Sequence, residues 1–137
     1  MNPEDLLAAY SDAIFHKDIE AILALYVDDL RQFDTWDQWE VDKPQLKRNF
    51  ESWFEWMGDD VNRPRFKDIR VIEEKNLAVL QAYVTFQRIN PRGELVESMK
   101  NRTTLVLIRE GDAWKIWHDH TSIPVEMISY KGLIVNE

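Results

Sequence analysis

The stretch Trp114-Lys115-Ile116-Trp117-His118-Asp119-His120-Thr121-Ser122-Ile123-Pro124 decides how this chain is read. Its β-branched and aromatic content predicts a strand, and the two-residue period of a strand puts Trp114, Ile116, His118, His120 and Ser122 on one face. That face starts apolar and ends in two imidazoles and a hydroxyl. Polar groups on a core-facing strand line a cavity or satisfy one another. The expectation is therefore a pocket at the end of this strand.

Working backwards, residues 66–72, 77–89 and 96–108 have the same character. They are separated by the turn-like Lys75-Asn76, Asn90-Pro91-Arg92-Gly93 and Glu110-Gly111-Asp112. Earlier still the apolar period lengthens to three and four. Leu6, Leu7, Tyr10, Ala13 and Ile14 mark a first helix, with Asn2 as its cap and Pro3 in its first position. Asp18 caps a second, with Ile19, Ile22, Leu23 and Tyr26 inward. A short strand covers Leu30 to Asp34. A third helix begins at Asp42-Lys43-Pro44, carries Leu46, Phe50, Trp53, Phe54 and Met57, and stops at Gly58. Helices followed by a meander predict an α+β domain with a cone-shaped, curved antiparallel sheet wrapped around three N-terminal helices. One domain is expected over residues 1–137, with its core from about 6 to 124 and a tail from 125 to 137.

The chain has 137 residues, a formal charge of −8, 45% apolar and 31% charged residues, and no cysteine. Disulfides, thiolate catalysis and Cys-ligated zinc are thereby excluded. The acidic balance argues against nucleic acid and anionic membranes as partners. No apolar run reaches the roughly 18 residues of a membrane helix, and the acidic start is unlike a signal peptide, so the cytoplasm is the expected location. Six Trp, six Phe and four Tyr suit a core with an apolar cavity as well as a solid one.

The order of elements and three stretches resemble the nuclear transport factor two-like superfamily, in particular its SnoaL-like branch. These are Tyr10 through Asp34 with its His16-Lys17-Asp18 turn, Arg102-Thr103-Thr104, and the W-x-x-x-H-x-H-x-S-x-P pattern from Trp114 to Pro124. The resemblance implies the cone-shaped fold. It leaves function open, because the superfamily holds isomerases, polyketide cyclases, dehydratases, transport adaptors and assembly domains.

Asp34 matches the general base of the family's ketosteroid isomerases, and Tyr10 the tyrosine that donates to the developing oxyanion. Those enzymes add an acid on the penultimate strand. The corresponding inward residues here read Arg102, Thr104 and Val106, which argues against a steroid isomerase. His118 or His120 could act as acid or base with Asp34 across the cavity. A two-His, one-carboxylate metal site has little to support it, and neither metal nor cofactor is expected. Arg102 would favour an anionic ligand group, with Thr104 and Ser122 on the same wall. Ile14, Trp53, Met57, Val84 and Phe86 are core or pocket lining. Trp36 and Trp39 form either a lid or a loop packed on the helix.

Plainer alternatives stand beside these. Asp34 could cap a turn, Arg102 could pair with Asp34 or Asp119 or point outward at an interface, Tyr10 could pack in the core, and the histidines could be structural. Tyr83, Thr85, Thr103, Leu105, Leu107, Trp117 and Thr121 are expected on the convex face, where a homodimer contact would cover them. The apolar tail would join that contact or close the pocket. The expected function is a small-molecule-binding protein with an apolar pocket, with isomerase, cyclase or lyase chemistry by proton transfer on a carbonyl or polyketide-like molecule. The alternative is a non-catalytic binding or oligomerisation domain.

Overall fold

The computed structural model describes residues 2–136. Helix α1 (Asp5–Phe15) is followed by α2 (Ile19–Leu23), strand β1 (Tyr26–Phe33), α3 (Lys43–Met57), β2 (Val61–Glu73), β3 (Leu77–Ile89), β4 (Leu95–Glu110) and β5 (Ala113–Ser122). The five strands form one curved, unclosed sheet in the order β1-β5-β4-β3-β2. β2 to β5 are antiparallel as expected, whereas β1 runs parallel to β5. The sheet is therefore mixed. A parallel pair needs a long connection, and here the whole of α3 through β4 lies between the two strands.

Local chemistry sets the helix limits. The Asp18 carboxylate accepts from the Ala21 backbone N–H at 3.1 Å, and the Asp42 carboxylate from Gln45 at 2.9 Å. Gly58 ends α3 at φ +58°, a left-handed conformation that only glycine adopts without strain. α1 starts two residues later than its sequence suggests. Asn2 does not cap it with a side chain; its backbone N–H donates to Asp5 instead. The strands also run longer than expected. β2 begins at Val61 rather than after Pro64, which an edge strand tolerates because it leaves one row of N–H groups unpaired.

Leu6, Ile14 and Ile22 from the first helices, Leu46, Phe54 and Met57 from α3, and Leu80, Leu107, Trp114 and Ile116 from the sheet form one buried cluster. Ile14 and Met57 thus belong to the solid core. The tail takes over beside β4 where β5 stops: Lys100 N–H donates to Val135 O at 2.8 Å, and Ser98 Oγ to Asn136 O at 2.7 Å. Met127, Ile128 and Tyr130 are nevertheless more than four-fifths exposed. No helix among the described residues is long and apolar enough to cross a membrane.

Candidate active site

One feature of β5 reorders the site. Leu107 pairs with Ile116 but Val106 pairs with His118, so Trp117 is an extra residue with no partner of its own. Such a bulge interrupts the alternation of faces. Trp114 and Ile116 point into the core, Trp117 and His118 both point out, and Asp119 and Thr121 point in. The expected polar face is therefore inverted beyond Ile116.

The consequences propagate by pairing, because directly opposed residues share a face. Val106, Thr104 and Arg102 lie opposite His118, His120 and Ser122, and all six are on the outer side. His118 Nδ1 lies against the Arg31 carbonyl, and both imidazoles pack edge-on to Phe33. Arg102 Nε donates to Ser122 Oγ at 3.0 Å. Arg102, Thr104, His118, His120 and Ser122 accordingly do not line the pocket. A metal site joining the histidines to Asp34 is not assembled. Thr103, Leu105, Leu107 and Thr121, expected on the convex face, turn inward; Tyr83 and Trp117 are exposed there.

Inside the cone lies a cavity of about 520 Å³. Of the residues expected in the pocket or over its mouth, Tyr10, Asp34, Trp36, Trp53 and Phe86 line it; Leu46 and Phe50 of α3 and Thr121 join them. Ile14, Met57, Trp39 and the tail do not. Trp39 stands in solvent at 95% exposure, so the loop offers one tryptophan to the cavity, not two. Sequence reasoning did not place Gln32, Asn62, Asn101 or, above all, Asp119 on the cavity wall; strict alternation puts Asp119 on the face opposite the two histidines. Only the bulge turns it in, and nothing in the local residue types announces a bulge.

The electrostatics follow from burial. Asp34 forms no ion pair among the described residues. Burial pushes its carboxyl above the usual carboxylate range, the Thr35 backbone N–H pulls it partly back, and the Asp37 charge adds to the rise. Asp119 is pushed up to about 7, again chiefly by burial. Hydrogen bonds from Gln32 and Tyr26 oppose that rise, and the Asp34 charge adds to it. Gln32 Nε2 and Tyr26 OH donate to Asp119 Oδ2 at 3.2 and 3.4 Å, while Oδ1 has no partner. The Tyr10 phenol is held protonated by burial and by the charges of Asp119 and Asp34. Two carboxyls and a phenol thus feel one another inside one cavity. Arg88, the one cation on its wall among the described residues, has its charge met by Asp60 at 3.1 Å and lies over the Trp56 ring at 5.0 Å.

A SnoaL-like domain model matches residues 4–126. The chain belongs to the SnoaL-like family. Among solved structures, it is similar to an NTF2-like protein of unknown function from Pseudomonas putida KT2440, at 22% identity and a TM-score of 0.81, covering 98% of this chain and 92% of that one. It is also similar to Aln2 from a Streptomyces species, at 11% identity and a TM-score of 0.75, covering 89% and 92%. A cystatin-like protein of unknown function from Nostoc punctiforme PCC 73102 matches at 14% identity and a TM-score of 0.70, covering 91% and 90%. At these identities the likeness shows the fold alone. No curated protein matches the chain.

Proposed function

We propose that this SnoaL-like domain binds a small, largely apolar carbonyl compound in its cavity and moves a proton on it without a cofactor. The supporting observation is that Asp34, free of any ion pair among the described residues, shares the cavity wall with Tyr10 and a buried Asp119. Asp34 as carboxylate takes a proton from the carbon next to the carbonyl. The C–H electron pair shifts into the new C=C bond, and the carbonyl π pair moves onto oxygen. Tyr10 and protonated Asp119 then donate hydrogen bonds to that oxygen. Return of the proton from Asp34 to another carbon completes an isomerisation. In a dehydration the enolate re-forms the carbonyl, its C=C pair shifts to the α,β bond and expels the β-hydroxyl, and the proton from Asp34 lets it leave as water. The family's ketosteroid isomerases carry an acid in the middle of the penultimate strand; this chain has none at the corresponding positions Arg102, Thr104 and Val106, and Asp119 from β5 offers an equivalent donor.

Deuterium exchange of the α-protons of 2-tetralone, a neutral bicyclic ketone, tests the chemistry. Exchange above the buffer rate that disappears in Asp34→Asn supports it. Exchange no faster than buffer, with the ketone bound, leaves a binding protein and removes the enzyme. The exposed Tyr83 and Trp117, at 43% and 48%, together with the apolar tail, favour a homodimer through the outer face of a cytoplasmic protein. A monomer by light scattering at micromolar concentration would reject that part.

A further inference from the structure

Asn62 and Arg88 are directly opposed across β2 and β3, and both line the cavity. Opposed side chains on one face lie about 5 Å apart at Cβ. Asn62 is only 4% exposed, yet its carboxamide oxygen has no hydrogen-bond partner. Arg88 Nε is likewise buried without a hydrogen bond: Glu97 Oε1 is 3.9 Å away, beyond hydrogen-bond reach, and Nη1 is the atom that meets Asp60. An orphan acceptor and an orphan donor thus stand side by side. Buried polar atoms normally find partners, and leaving each one unmade is costly. The terminal torsion of asparagine is broad and two-fold, so the carboxamide turns readily to present its oxygen to the cavity.

The position of the pair in the fold adds a second point. Along β4, Arg88 lies opposite Glu97 and Asp119 opposite Leu105, eight residues further on. The orphan pair and the Asp34–Asp119 site therefore occupy different ends of the cavity. A group held at one end belongs to a part of the ligand remote from the reacting carbon. Charge narrows its chemistry. Asp34, Asp37, Glu97 and Asp119 line the wall, and the Arg88 cation is already neutralised by Asp60. A carboxylate or phosphate entering this cavity meets no free positive charge among the described residues.

We infer that Asn62 and Arg88 form a recognition subsite for an uncharged group that both donates and accepts, a hydroxyl above all, at the far end of an elongated ring-bearing ligand. The hydroxyl oxygen accepts from Arg88 Nε, and its proton goes to Asn62 Oδ1. This inference rests on the reading of the cavity as a small-molecule site. Calorimetric titration of the full chain with 2-naphthol, 2-methoxynaphthalene and 2-naphthoate tests it. The methoxy compound lacks the donor, and the naphthoate carries the charge. 2-Naphthol is expected to bind about tenfold tighter than the methoxy compound, the worth of one well-made buried hydrogen bond. In Asn62→Leu, and in Asn62→Ser should the leucine variant misfold, that preference is expected to fall to less than about twofold. In Asp119→Asn it is expected to persist. A preference kept in both Asn62 variants, or lost only in Asp119→Asn, overturns the subsite. So does tightest binding of 2-naphthoate, which would make Arg88 a free cation. Failure of all three probes to bind would remove the cavity reading together with the subsite.

Discussion

The inner and outer faces of β5 both carry polar groups and put them to different uses. Outside, His118, His120 and Ser122 meet the Arg31 carbonyl, the Phe33 ring and Arg102, with solvent close by. Inside, Asp119 is 6% exposed and pushed up to about 7. Histidine is the residue type most often used for acid–base work, yet here it is a carboxyl that lies on the cavity wall. Desolvation outweighs residue type: burial tunes the proton affinity of a carboxyl that solvent would leave unchanged.

The sharpest way to break this comparison is at the base. Asp34→Asn is expected to lower 2-tetralone exchange by about 10²–10⁴-fold, whereas His118→Ala and His120→Ala leave it within about twofold. A loss in either histidine variant matching that in Asp34→Asn would return the chemistry to the outer face. Solid core and open cavity differ in packing as well. Leu107→Ala, at a fully buried position, is expected to cost about 2–5 kcal/mol in chemical denaturation.

Asp119 gives a pH-dependent test. Its folded-state value near 7 lies above the ordinary carboxylate value, so folding takes up a proton between the two. The burden of burying this group is absent below about pH 4, grows as pH rises through about 7, and then levels off. Asp119→Asn is therefore expected to stabilise the protein by about 2–4 kcal/mol at pH 8 and by little at pH 4. An equal effect at both would deny the shift. In exchange kinetics, the rate is expected to fall on the alkaline side as Asp119 ionises through about 7. It is expected to fall on the acid side as Asp34 is protonated, above the usual carboxylate range. The smallest effect concerns the orphan pair. Asn62→Leu removes a polar atom that bonds to nothing, so the melting temperature should stay level or rise slightly. A large drop would mean that Asn62 has a structural partner.

Much of the architecture was legible because it rests on local rules. Asp18, Asp42 and Gly58 mark helix limits by their own hydrogen bonds and backbone freedom. The four long strands announce themselves by β-branched and aromatic runs between turns. Tyr10 and Asp34 were legible as candidates through family resemblance, and both line the cavity. The histidine wall was not, for a specific reason. Leu105-Val106-Leu107-Ile108 is apolar on both faces, so β4 supplied no alternation to correct the reading of β5.

By itself, then, the sequence determined the elements, their order and the α+β class, since capping, periodicity and turn chemistry act over a few residues. Which side chains meet inside the cone was decided only in three dimensions. One unpaired residue at Trp117 moved Asp119 and Thr121 into the cavity and His118 and His120 out of it. A strand's side-chain period is two, so a single extra residue inverts every face beyond it. The pairing of β5 with β4 and β1, not the local sequence, determines where that residue falls.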